Sequence, residues 1–252
     1  MIPYGRQDIS QQDIDAVVDV LKSDFLTQGP KVPVFESALT SYTGAKYAVA
    51  VNSATSALHI ACMALEAGKG DWLWTSPITF VASANAGLYC GAKVDFVDVD
   101  STTGNLSISA LEEKLAQAEQ QNCLPKVLIP VHFAGQPCDM AAIKSLSERY
   151  GFFIIEDAAH AIGSSYQGHK TGCCKFSDIT VFSFHPVKII TSAEGGMALC
   201  KNKKLADKMR LLASHGVTRD PEQMEAPLEG SWGYQQIDLG FNYRISDLHA
   251  AL

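Results

Sequence analysis

The sequence predicts an α/β domain built on a mostly parallel sheet with helices on both faces. Three observations carry that expectation. Short runs rich in β-branched and aromatic residues, YAVAV, KVDFVDV, KVLIPVHF and FFIIED, recur along the chain. Segments with helical spacing of apolar residues, such as ISALEEKLAQAEQ and MAAIKSLSERYG, separate them. FFIIED opens with four successive apolar residues, the mark of a strand buried on both faces, as a parallel sheet requires. With 252 residues, 47% of them hydrophobic, the chain can fill a complete core, and 1–252 reads as one large domain with an N-terminal segment.

The elements follow in order. Ser10 and Asp13 have the spacing of a capping box, and Ile14, Val17, Val18 and Leu21 continue at helical intervals. DFLTQGP is a loop by its Gly-Pro ending, and Phe35, Leu39 and Tyr42 give a short helix after Pro33. At the far end, ISDLHAAL opens an amphipathic helix with no C-terminal cap, so the natural protein is expected to continue past Leu252.

Bulk properties remove several classes of function. A formal net charge of -7 argues against a nucleic-acid binder, which needs a basic face. No apolar stretch is long enough to span a bilayer, and MIPYGRQDIS lacks the basic-then-apolar layout of a secretory signal. The 7 cysteines are odd in number and scattered through apolar runs, which reads as reduced thiols in a cytoplasm.

Ligands of parallel sheets gather at the carboxyl ends of the strands. The stretch TVFSFHPVKIITSAEGGM starts as a strand, breaks at Pro186 and presents Lys188 among apolar neighbours. An arbitrary loop lysine is a solvated charge; one flanked this way is penalised in its ammonium form, and a neutral amine attacks aldehydes. NSATSALHIAC, Asn52 to Cys62, places Ser53, Thr55 and Ser56 where a helix begins. Simple N-capping needs one such residue, whereas free N–H groups with several hydroxyls suit an anion. Phe80, ahead of another helix, is either core or a flat face for a ring. Glu156 and Asp157 end the FFIIED strand. Asp157 could cap a helix, or it could keep a pyridine nitrogen protonated, and His160 follows at helical spacing on the same side. Ser183 adds a hydroxyl five residues before Lys188. An amine, a carboxylate, an aromatic face and a helix N-terminus together are the requirements of pyridoxal 5′-phosphate.

NSATSAL, EDAAHA, SFHPVKIITSAEGGM and GFNYRIS, in that order, resemble the sugar aminotransferases of the DegT/DnrJ/StrS group. The likeness runs over the whole chain. IPYGRQ, DFLTQGP and HPVKIITSAEGG look most like the branch acting in pseudaminic acid biosynthesis. The resemblance implies the fold type I (aspartate aminotransferase-like) large domain, with the smaller C-terminal domain missing. It implies transfer of an amino group from L-glutamate to C4 of a UDP-linked 4-keto-6-deoxy-N-acetylhexosamine. Lys188 would carry the cofactor covalently, Asp157 would pair with its ring nitrogen, His160 would lie beside the ring and Phe80 would stack. Ala54, Thr55 and Ser183 would hold the phosphate, and Asn242 would reach the cofactor of a neighbouring subunit, which implies a homodimer. Tyr4 and the loop Asp24, Phe25, Leu26 and Thr27 match positions that touch the nucleotide-sugar. Sugar 3-dehydratases of the same fold replace the lysine by histidine, so Lys188 argues against that activity. Another member of the family, or a fragment that binds without turnover, is the alternative.

Two further clusters carry weaker chemistry. His169, Cys173 and Cys174 invite a metal reading, but adjacent cysteines do not readily share one tetrahedral ion. His132, Cys138 and Asp139 suggest a Cys–His nucleophile, against which Asp139 is better placed to cap the next helix.

Overall fold

The structure, a computed structural model, describes residues 5–224, 230 and 232–252. Helices α1 (Gln11–Leu21) and α2 (Lys31–Thr43) come first. Ser10 and Asp13 form the expected capping box, each side chain accepting from the other's backbone N–H. α2 begins two residues before Pro33, which therefore sits in the first turn, where a missing N–H breaks no helical bond.

Strands and helices then alternate: β1 (Tyr47–Val51), α3 (Ala54–Ala64), β2 (Trp72–Thr75), α4 (Ala82–Tyr89), β3 (Lys93–Phe96), α5 (Ile108–Gln120), β4 (Val127–Ile129), α6 (Met140–Tyr150) and β5 (Phe153–Asp157). A small hairpin of β6 (Ser165–Tyr166) and β7 (His169–Lys170) precedes β8 (Ile179–Ser183) and β9 (Gly196–Cys200). After these come α7 (Lys203–Ala213), the pair β10 (Val217–Thr218) and β11 (Gln235–Gln236), and α8 (Asp247–Ala251).

Seven strands form one sheet in the order β1-β9-β8-β5-β4-β2-β3. From β8 to β3 every pairing is parallel, and β9 runs antiparallel to both of its neighbours. Residues 184–195 between β8 and β9 contain no helix to carry the chain back across the sheet, so the two strands pair antiparallel. Side chains alternate across the sheet with period two. Ile129, Ile155, Ile179 and Val181 pack with Leu58 of α3, Ala86 of α4 and Met209 of α7. Leu128 and Ile154 pack on the other face with Leu111 and Leu115 of α5 and Ile143 of α6. Phe182 and Met197 extend that second face towards Leu39 of α2.

β1 lies at the sheet's edge and, among the described residues, has no strand on its outer side. Glu36 of α2 and Arg210 of α7 take the place of one. The Ala50 N–H donates to Glu36 Oε1 at 2.9 Å, and Arg210 Nη2 donates to the Ala48 carbonyl at 2.9 Å. Arg210 Nη1 also lies 3.0 Å from both Glu36 oxygens, so the two substitutes hold each other in position.

Two expectations need adjustment. β3 stops at Phe96 and β4 at Ile129, both short of the runs that suggested them; Pro130, next after β4, has no N–H to continue the ladder. The residues after Asp157 form turns and no helix, so His160 is placed by loop geometry.

Candidate active site

Parity along the strands decides what faces the carboxyl end of the sheet. Asp157 is two residues beyond Ile155 on β5, and Ser183 is two beyond Val181 on β8; Asp157 and Val181 are in register. Both polar side chains therefore project on the face that carries α3 and α4. There they line a cavity of about 520 Å³, shared with Ala54, Thr55, Phe80, His160 and Lys188. The amine and the carboxylate, more than thirty positions apart in sequence, thus meet in one space.

Asp157 is buried and fully held. Its Oδ2 accepts from the Ser83 hydroxyl at 2.7 Å, and its Oδ1 accepts from the Ala159 N–H at 3.2 Å. Ser83 has a single hydroxyl proton, which goes to Asp157. The Thr79 hydroxyl, 2.7 Å from Ser83 Oγ, is then the donor in that contact. Sequence reasoning missed both hydroxyls. The only signal was a serine in the first turn of a helix following a strand, a pattern that ordinary capping also produces.

Lys188 sits half-buried in the loop between β8 and β9. Burial pushes its amine below the ordinary lysine range, and the nearby Asp157 anion only partly opposes this. The His160 imidazole is also lowered, first by burial and then by the charge of Lys188, against the pull of Asp157. Both shifts favour the neutral forms, in which an amine can act as a nucleophile and an imidazole as a proton acceptor.

The opposite wall is the start of α3. Ser53 accepts from the Ser56 N–H at 3.1 Å, while the N–H groups of Ala54 and Thr55, in the first turn, have no acceptor within the helix. β9 lies hard against this turn. A Cβ on Gly196 would come within 2.3 Å of the Ser53 carbonyl carbon and 2.4 Å of the Ala54 nitrogen. The cradle therefore exists only because residue 196 is glycine.

The remaining expected residues lie elsewhere. Tyr4 falls outside the described residues. Asp24, Phe25, Leu26 and Thr27 form the turn between α1 and α2, where Thr27 bridges to Ser246; none of the four lines the cavity. Asn242 pairs with Ser214 and accepts from Asn52 through its backbone carbonyl at 3.4 Å, also outside the cavity. Phe80 lines the cavity with 73% of its surface exposed, so it is not a core residue. Cys174 is buried and its thiol is held near the Leu199 carbonyl, at 3.3 Å. Asp139 caps α6 by accepting from the Ala142 N–H at 3.2 Å, and His132 Nε2 contacts Glu156 at 2.8 Å. Among the described residues no helix is long and apolar enough to cross a membrane.

The residues present fit pyridoxal 5′-phosphate. A buried carboxylate, an amine, an exposed aromatic face and unpaired helical N–H groups border one cavity of suitable size. The comparisons with known proteins agree with that geometry. The model of the DegT/DnrJ/EryC1/StrS aminotransferase family matches residues 7–252. The UDP-4-amino-4,6-dideoxy-N-acetyl-beta-L-altrosamine transaminase of Campylobacter jejuni strain 81-176 is 43% identical over 252 residues, covering 100% of this chain and 63% of that protein. The solved structure of PseC from Helicobacter pylori, an aminotransferase involved in the biosynthesis of pseudoaminic acid, superposes with a TM-score of 0.89 at 32% identity. That match covers 99% of this chain and 63% of PseC. The PLP-form of Spr1654 from Streptococcus pneumoniae superposes at 0.85 with 31% identity, over 99% of this chain and 64% of that one. The chain thus spans less than two thirds of the length of these relatives.

Proposed function

The chain belongs to the DegT/DnrJ/EryC1/StrS aminotransferase family, and we propose that it is the cofactor-binding part of a pyridoxal 5′-phosphate-dependent nucleotide-sugar aminotransferase. The reaction we assign to the whole protein moves the amino group of L-glutamate to C4 of a UDP-linked 4-keto-6-deoxy-N-acetylhexosamine, as a step towards pseudaminic acid. The names of the Campylobacter and Helicobacter relatives support this choice of substrate. The single observation that carries the activity is the shared cavity of Lys188 and Asp157.

When bound, the cofactor supplies an electron sink for the bond broken at the amino donor's Cα. The protein's own groups do the rest. Lys188 Nζ would be the covalent attachment point and, when freed by the amino donor, the base for the Cα proton. Asp157, steadied by Ser83, would accept from the ring nitrogen and keep it protonated. Phe80 would cover one face of the ring and His160 would lie beside it. The first turn of α3 and Ser183 would hold the phosphate. Asn242 and the turn Asp24–Thr27, which lie away from this cavity, are assigned to a second subunit's site and to the nucleotide-sugar.

Borohydride reduction of the protein with pyridoxal 5′-phosphate, followed by peptide mass analysis, tests the attachment. A pyridoxyl adduct on Lys188 is expected, and an adduct confined to other lysines would overturn the assignment. A panel of UDP-4-keto sugars offered to the full-length protein then fixes the acceptor.

A further inference from the structure

Glu156 is the neighbour of Asp157, yet it points to the opposite face of the sheet and takes no part in the cavity. It is almost completely buried, and a carboxylate in that position is costly unless fully partnered. Three side chains serve it. His132 Nε2 lies 2.8 Å from Oε2, Thr180 Oγ1 donates to Oε1 at 3.0 Å, and the Ser177 hydroxyl makes a short contact with the same oxygen. Burial works to raise the carboxyl, but the hydrogen bonds given by His132, Ser177 and Thr180 work to lower it, and the net shift is downward. Glu156 and Cys138 both favour a second proton on His132 against its burial. However, the Cys138 N–H points at His132 Nδ1, 3.3 Å away, and that nitrogen must accept. The single imidazole proton is then on Nε2 and is given to Glu156.

The same histidine is tied to Asp157 through the backbone. The His132 N–H donates to the Asp157 carbonyl at 3.1 Å, and the Asp157 N–H donates to the Pro130 carbonyl at 3.0 Å. On the other side the Ala158 N–H donates to the Val181 carbonyl at 2.9 Å. β4 has already ended at Ile129, so these bonds are what keep the tail of β5 attached to the segment after β4. That segment also carries Phe133, a wall of the cavity, and Gly135, where a Cβ would stand 2.8 Å from the His160 carbonyl oxygen. One buried contact on the far side of the sheet thus fixes the backbone on which Asp157 stands.

We propose that Glu156 and His132 are positioning residues for Asp157, locking the end of β5 so that its carboxylate meets the cofactor's ring nitrogen. This rests on the function proposed above, and the test separates the two. Pyridoxal 5′-phosphate and its deaza analogue, in which the ring nitrogen is replaced by carbon, are titrated into the protein and into Glu156→Ala, Glu156→Gln, His132→Leu and His132→Gln. The unmodified protein is expected to prefer the natural cofactor, and equal binding of the two ligands would overturn the positioning role. Glu156→Ala and His132→Leu are expected to weaken its binding about tenfold or more while changing the analogue's less than about twofold, where tenfold is ~1.4 kcal/mol. The Gln variants, which can still accept or donate at the same place, retain the preference. If the Ala variant does not fold, His132→Leu gives the same reading, because it leaves Glu156 two donors. Equal losses for both ligands, or an unchanged preference in the Ala and Leu variants, would overturn the positioning role. Failure of the unmodified protein to bind either ligand would instead count against the proposed function.

Discussion

Ser83 Oγ donates to Asp157 Oδ2 at 2.7 Å, across the space between the first turn of α4 and the end of β5. The contact is buried, and it fixes the rotation of the carboxylate that the Ala159 N–H holds from the other side. Ser83→Ala removes a hydrogen bond to a charged group, a loss of about 1.5–3 kcal/mol when the partner stays buried. Weaker cofactor binding is expected, with the thermal midpoint of the cofactor-free protein also lowered. Asp157→Ala is expected to lose much more affinity than Ser83→Ala. Equal affinities in the two variants, measured by absorbance titration, would remove Asp157 from its assigned place.

Lys188 holds its proton less tightly in the folded chain than in the unfolded one. A depressed lysine is a liability to the fold wherever the unfolded chain binds the proton more strongly, and stability rises with pH through that window. The cost is full below the folded value and disappears above 10.5, the ordinary lysine value. Lys188→Met in cofactor-free protein is therefore expected to raise the melting temperature near neutrality and to converge with the unmodified protein above about pH 10.5. A melting temperature that falls in the variant at pH 7 would contradict the burial argument.

Gly196→Ala would drive a methyl into the Ser53–Ala54 peptide. Backbone cannot yield as a side-chain tip does, so a loss of about 1–3 kcal/mol in stability is expected from overpacking alone. The α3 turn would shift with it. Affinity for pyridoxal 5′-phosphate should then fall more than affinity for pyridoxal, which lacks the phosphate, in side-by-side titrations.

Breaking the Glu36–Arg210 pair exposes an edge of the sheet. Glu36→Ala leaves the Ala50 N–H without its acceptor and Arg210 without its counter-ion, which is expected to cost about 1–3 kcal/mol. Arg210→Ala should cost less, since its side chain is 55% exposed and water replaces part of what is lost. Denaturant unfolding gives the order directly. An edge strand stripped of its cover also invites pairing between chains, so increased light scattering is expected in the Glu36 variant.

Much of this organisation was legible in the residues, and most of the exceptions have physical causes. ISALEEKLAQAEQ is α5 from first residue to last, because its apolar face and the Ser107 cap leave no competing reading. The cavity residues Ala54, Thr55, Phe80, Asp157, His160, Ser183 and Lys188 come together because sheet topology collects strand ends. WLWT gave no expectation of β2; four residues are too few for a period to show. α7 gave no expectation although Leu205, Met209 and Leu212 recur at helical spacing and the last two reach the core, so its pattern was legible and no physical cause hid it. The reversal of β9 and the Ser83–Asp157 contact depend on which elements become neighbours, and no local pattern encodes that. The loop Asp24–Thr27 and Asn242 were expected at a ligand, and within a single chain they stand apart from the cavity.

Asp247, completely buried in the first turn of α8, accepts from the Gly29 N–H at 2.8 Å and from the Lys31 N–H at 2.7 Å. One carboxylate therefore serves the amino ends of two helices whose residues are more than two hundred positions apart. During synthesis the start of α2 leaves the ribosome long before its acceptor does. Its donors stay with water until Asp247 has been made, so this closure cannot form before more than two hundred further residues have emerged.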